Sequence, residues 1–113
     1  MTELISVRRF GIVIGIREQC IAEYRQLHDG EGVRDLLRLA NMRNFSIFLH
    51  QMPDGGLYEF GYYEYVGGDY AADMAALAAH PRNIEWLNSC DSMQIPLPGT
   101  NGWSEMESIF FNA

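Results

Sequence analysis

The chain reads as an α+β protein of β-α-β-β-α-β order. Three observations predict this. Short runs with an apolar period of two open the chain, fill its middle and close it. Between them lie two stretches of helix formers. Glycine, proline or an acidic turn marks most of the changes from one to the other.

In Arg9–Ile16, Phe10, Ile12, Ile14 and Ile16 share one face while Gly11, Val13 and Gly15 share the other, so this is a first strand. Glu18–His28 is rich in helix formers, with Ile21, Tyr24 and Leu27 or His28 on its apolar side. Gly30 and Gly32 weaken that helix, and Val33–Ala40 resumes it with Leu36, Leu37, Leu39 and Ala40. Arg43–Gln51 and Leu57–Val66 are the second and third strands, joined as a hairpin through Asp54-Gly55-Gly56. Gly67-Gly68 ends the third strand. Asp69 caps a helix running to about His80, with Tyr70, Met74, Leu77 and Ala78 facing inward. Pro81 stops that helix and starts a short one through Trp86. A loop at 96–102 leads to the last strand, Trp103–Phe111.

This is the ferredoxin-like order, in which two helical regions cover one face of an antiparallel sheet. The third and fourth strands are apolar or aromatic on both sides, so the other face also needs a cover. Two copies packed sheet to sheet supply one. The expected assembly is a homodimer, a dimeric α/β barrel.

At 113 residues the chain is expected to be one domain, 1–113, large enough for a core without staples. A net charge of −7 argues against nucleic-acid partners and anionic membrane surfaces. All eight basic residues are arginines, so lysine Schiff-base chemistry is excluded. Cys20 and Cys90 match neither a zinc motif nor a dense disulfide framework and read as reduced thiols of a cytoplasmic protein. No export leader or membrane-length apolar run is evident.

Among groups able to do chemistry, Tyr24 and His28 stand out, because an i,i+4 pair lies on one helix face and offers a phenol and an imidazole to the same small polar molecule. Imidazole gives and takes protons near neutral pH. His50 reads as solvated beside a turn, and His80 as a helix-end cation suited to the dipole. The three histidines lack metal-motif spacing. The aromatics as a set suit a sugar, whose C–H faces meet rings while its hydroxyl edges meet phenols and carboxylates. Core and interface packing accounts for most of them. Glu59, Glu64, Glu105 and Glu107 fall on strands and are expected to face mainly solvent, since buried carboxylates need partners. A phosphate-binding glycine loop and a nucleophile elbow are both missing.

From about Arg8 to Phe111 the chain resembles the L-rhamnose mutarotase family. The resemblance runs through Glu23-Tyr24-x-x-x-His28, then Arg43-Asn44-Phe45-Ser46-Ile47-Phe48-Leu49. It continues in Phe60-Gly61-Tyr62-Tyr63-Glu64-Tyr65-Val66-Gly67-Gly68-Asp69 and Ala72-Asp73-Met74, and ends in Trp103-Ser104-Glu105-Met106-Glu107-Ser108-Ile109-Phe110. The order and spacing of these pieces carry it. It implies a dimeric barrel of ferredoxin-like subunits that interconverts the anomers of a monosaccharide, with no cofactor and no metal. The family's proton-donating histidine falls on His28 and a sugar-contacting tyrosine on Tyr24. A second such tyrosine falls on Phe45, and a tryptophan pair falls near Trp86 and Leu87. The family's usual Trp-Pro step is replaced here by Gly32-Val33.

Phe45 lacks a hydroxyl, and only one tryptophan of the pair remains, so the preferred sugar is expected to depart from L-rhamnose. L-fucose, another 6-deoxy sugar, is the first expectation. Ring opening needs an acid at the ring oxygen and a base at the C1 hydroxyl. His28 is the expected acid, Tyr24 orients the sugar or relays the proton, Phe45 and Trp86 form apolar walls, and a carboxylate or water serves as base. Two other readings stand beside this one: a cofactor-free monooxygenase or lactone isomerase on the same fold, and a sugar-binding module without catalysis.

Overall fold

The computed structural model describes residues 6–113; the reading of the first residues as lacking an export leader lies largely outside them. Strand β1 (Arg8–Ile16) is followed by a 3₁₀ turn (Glu18–Cys20), helix α1 (Ile21–Asp29) and helix α2 (Arg34–Leu39). The hairpin is β2 (Met42–Gln51) and β3 (Leu57–Tyr65). Helices α3 (Tyr70–Ala79) and α4 (Pro81–Asp91) come next, then two short strands, β4 (Gln94–Ile95) and β5 (Ser104–Met106). The antiparallel sheet has the order β2-β3-β1-β4, with β5 also on β1. This is the ferredoxin-like arrangement.

The period-two pattern of β1 does what it predicts. Phe10, Ile12, Ile14 and Ile16 are all buried; the first three pair in register with Tyr63, Gly61 and Glu59 of β3, and Ile16 pairs with Gln94 of β4. That shared face carries the core. At one end Phe10, Met42, Tyr63 and Tyr65 pack against Leu37 of α2 and Tyr70, Met74 and Leu77 of α3. At the other, Ile16, Tyr24, Cys90 and Met93 pack with Ile21, Leu27 and Trp86. A bulge between Arg43 and Ser46 shifts the register of β2. Asn44, at φ 54°, takes the left-handed conformation that asparagine tolerates better than most residues. The extra residue brings Phe45 onto the core face, where it stacks on Tyr63 at 5.4 Å.

Several expectations need correction. The last strand is not continuous over Trp103–Phe111: only Ser104–Met106 pairs, and Glu107 lies beyond it. The fourth strand position is shared with Gln94–Ile95, a pair too short to carry a periodic signal. The helix starting at Pro81 runs past Trp86 to Asp91. The segment from Glu18 begins as a 3₁₀ turn rather than an α-helix. Asp69 does cap α3, its side chain accepting from the Ala72 N–H at 3.1 Å. His80 acts differently from expectation: it caps the start of α4, Nδ1 accepting from the Arg82 N–H at 3.2 Å. A lone pair, not a cation, is used there.

Candidate active site

A cavity of about 1410 Å³ opens between the core face of the sheet and the helices. All five sequence-predicted site residues line it: Tyr24, His28, Phe45, Trp86 and Leu87. Tyr24 and His28 sit one turn apart on α1 with ring centroids 4.2 Å apart. The His28 ring donates Nδ1–H to the Tyr24 carbonyl at 2.8 Å. A carbonyl only accepts, so this bond fixes the tautomer and leaves Nε2 as the nitrogen free for chemistry. Trp86 meets the imidazole edge-on at 4.9 Å.

The turn after α1 holds this corner together. Gly32 has φ 54°, and a Cβ there would lie 2.8 Å from the Trp86 ring. Only glycine allows both that backbone conformation and that close approach. The Gly32-Val33 departure from the family pattern therefore seats the tryptophan. Arg82 on α4 donates to the Gly32 carbonyl at 3.0 Å and forms a bidentate pair with Asp35 of α2 at 2.8 and 3.0 Å. Arg34 donates to the carbonyls of His28 and Gly30 at 2.6 and 3.2 Å, which occupies the backbone acceptors left by the end of α1.

Glu59 was expected to face solvent. It is instead 2% exposed, on the core face of β3, and it lines the same cavity. Gln94 Nε2 donates to Glu59 Oε1 at 3.1 Å and to the Tyr24 hydroxyl at 3.3 Å. Glu59 Oε2 has no hydrogen-bond partner among the described residues. Desolvation pushes the Glu59 carboxyl above its ordinary range, against the opposing pull of Tyr24 and Gln94. Burial first, then the adjacent carboxylate, pushes the Tyr24 phenol upward. Burial also raises the Cys90 thiol, up to about 12, so Cys90 stays protonated and unreactive. One signal in the sequence pointed to Glu59: it shares the parity of Gly61, Tyr63 and Tyr65 on a strand. Gln94 gave no local signal at all.

No group of three His, Cys, Asp or Glu side chains able to hold a metal occurs among the described residues. Among the described residues no helix is long and apolar enough to cross a membrane.

Fold and cavity together define the class: a small ferredoxin-like α+β protein with ionisable side chains lining the space between sheet and helices. The L-rhamnose mutarotase family model matches residues 9–111. The chain belongs to that family, isomerases that act at the anomeric centre of a sugar. Among curated proteins nothing matches. An L-rhamnose mutarotase from Formosa agariphila has a similar structure, with TM-score 0.69 and 17% identity over 94% of this chain and 99% of the other. A NIPSNAP family protein from Agrobacterium tumefaciens has TM-score 0.64 and 15% identity, covering 99% and 94%. A protein described as an antibiotic biosynthesis monooxygenase, from Nitrosomonas europaea, has TM-score 0.59 and 10% identity, covering 97% of each chain. At these identities the likeness is one of fold.

Proposed function

We propose that this protein interconverts the α and β anomers of a 6-deoxy sugar, L-fucose ahead of L-rhamnose, by acid–base ring opening and closure without a cofactor. One observation carries the reading: His28, its Nδ1 held by the Tyr24 carbonyl, lines a cavity that Phe45 and Trp86 also line, with the Tyr24 ring beside it. As imidazolium, His28 gives its Nε2 proton to the ring oxygen while the C1–O5 bond breaks. The C1 hydroxyl loses its proton to a base and C1 becomes the aldehyde carbon. Rotation about C1–C2 and reclosure return both protons and give the other anomer. Tyr24 orients the sugar, and the rings of Phe45 and Trp86 meet its C–H faces. A positioned acid or base supplies roughly 10²–10⁴-fold, enough for a reaction whose uncatalysed rate is not very slow.

The preference for L-fucose rests on Phe45, which offers no hydroxyl to a substrate oxygen, and on Leu87 at the second tryptophan position. Saturation-transfer NMR on both sugars tests function and ranking together. Faster anomer exchange on L-fucose is the expected result. Equal or faster exchange on L-rhamnose overturns the ranking, and binding without exchange overturns catalysis in favour of a sugar-binding module.

The working unit proposed is a homodimer of single-domain subunits in the cytoplasm, closed sheet to sheet. The sheet face away from the cavity carries Phe48, which is 64% exposed, and Met106, and the tail beyond β5 exposes Ile109 and Phe110. A monomer in sedimentation at micromolar concentration would end that part of the proposal.

A further inference from the structure

The reaction needs a group that takes the proton from the C1 hydroxyl, and the cavity holds a carboxylate built unlike the others among the described residues. Glu59 is almost wholly buried, yet one of its two oxygens has no hydrogen-bond partner among the described residues. Leaving an acceptor unmet in a buried site costs stability, so such an atom calls for an explanation. The groups packed around it are few. Gln94 of β4 holds Oε1. The Tyr24 phenol of α1 and the Cys90 thiol of α4 are its titratable neighbours. In register, β1 and β2 place Ile14 and Leu49 beside it. Among the described residues no arginine forms an ion pair with it, in contrast to Asp35. Gln94 bridges Glu59 and Tyr24, which fixes the phenol beside the carboxylate. On its other side the Tyr24 ring lies against His28.

Resting on the mutarotase reading above, we propose that Glu59 is the terminal base of the reaction, acting through Tyr24. As the C1–O5 bond breaks, the C1 hydroxyl proton passes to the Tyr24 oxygen and the Tyr24 proton passes to Glu59 Oε2. C1=O forms, and O5 takes its proton from His28 Nε2. Reclosure reverses each transfer, so no proton or electron is gained or lost by the protein over a cycle. Tyr24 touches the substrate; Glu59 is a positioning residue and proton store behind it, and Gln94 sets the distance between the two. The phenolate never accumulates, because its proton leaves for the carboxylate as the sugar's proton arrives. Burial that raises the carboxyl brings its proton affinity closer to that of a base working near neutral pH.

The test is the pH profile of exchange on L-fucose and L-rhamnose for the wild type, Glu59→Gln, Glu59→Asp, Tyr24→Phe and the Tyr24→Phe/Glu59→Gln double variant. A base must be ionised, so the wild type should lose rate on the acid side as Glu59 takes up a proton. Glu59→Gln should lower kcat by about 10²-fold, leave KM nearly unchanged and abolish that acid limb. The double variant should be no slower than the slower single one, because groups acting as one relay fail together. Glu59→Asp should keep an acid limb at reduced kcat. Wild-type kcat or an intact acid limb in Glu59→Gln overturns the proposal, as do single effects that multiply in the double variant. Should Glu59→Gln fail to fold by circular dichroism, Glu59→Asp decides: wild-type kcat there overturns it. A wild type that exchanges neither sugar sinks the mutarotase reading and this proposal together, whereas an active wild type with an indifferent Glu59 sinks only this one.

Discussion

Two tyrosine–carboxylate pairs lie on the same sheet face, six residues apart along β3, and they are built oppositely. Tyr65 donates to Asp73 Oδ2 at 2.5 Å and accepts from the Asp69 N–H at 2.9 Å. Asn41 donates to the same Asp73 oxygen at 3.0 Å. Gly67 is required beside this knot, since a Cβ there would collide with the Tyr65 hydroxyl. The phenol and Asp73 Oδ2 are both partnered, and the two hydrogen bonds from Tyr65 and Asn41 pull Asp73 below the ordinary carboxylate range. At the other end Glu59 keeps one oxygen unpaired, and desolvation pushes it up. The comparison teaches that a tyrosine beside a carboxylate says little by itself. Whether desolvation outweighs the pull of the neighbouring donors decides between a clasp that fixes the fold and a group held ready for protons.

The largest effect expected from breaking this contrast lies at the cavity end. His28→Asn should lower anomer exchange by roughly 10²-fold or more while fold and assembly persist, because Asn keeps polarity but transfers no proton at neutral pH. Exchange at the wild-type rate would make His28 structural. Gly32→Ala comes next. Its Cβ would push Trp86 aside and hold a strained left-handed residue, so exchange should fall, by up to about 10²-fold if the imidazole moves by an ångström. Unchanged exchange, with Trp86 fluorescence also unchanged, would show the turn to be slack.

The smallest effect is in stability, and here the two pairs should respond with opposite sign. Asp73 titrates below its unfolded value, so its contribution is present above the unfolded carboxylate pKa and is lost as pH falls through the lowered folded one. Asp73→Asn should therefore lower the thermal midpoint by a few degrees at neutral pH and matter least in acid. Glu59 titrates above its unfolded value. Its ionisation opposes folding, so wild-type stability relative to Glu59→Gln should decline as pH rises from the unfolded carboxylate pKa to the folded one. Melting both variants against the wild type from acid to neutral pH checks the signs. Parallel slopes would mean that the two carboxylates share one environment.

Much of this was determined by the sequence alone. The alternation of β1, the hairpin turn at Asp54-Gly55-Gly56, the Asp69 cap and the Pro81 helix start are local signals, set by sterics and hydrogen bonding within a few residues. The Tyr24–His28 pair was legible for the same reason, since helix geometry alone places i and i+4 together. What the sequence could not determine depends on contacts between distant segments. Whether Glu59 meets water or the cavity turns on which face of β3 the helices cover, and its partner Gln94 is 35 residues away. The split last strand is a matter of which short segments reach the edge of β1, and two or three residues show no period. Phe45 reaches the core face only because the bulge at Asn44 adds a residue against a single partner. Local propensity set the elements and half of the site; the tertiary structure supplied the rest, because a buried carboxylate and its donors exist only once separate strands and helices have closed around them.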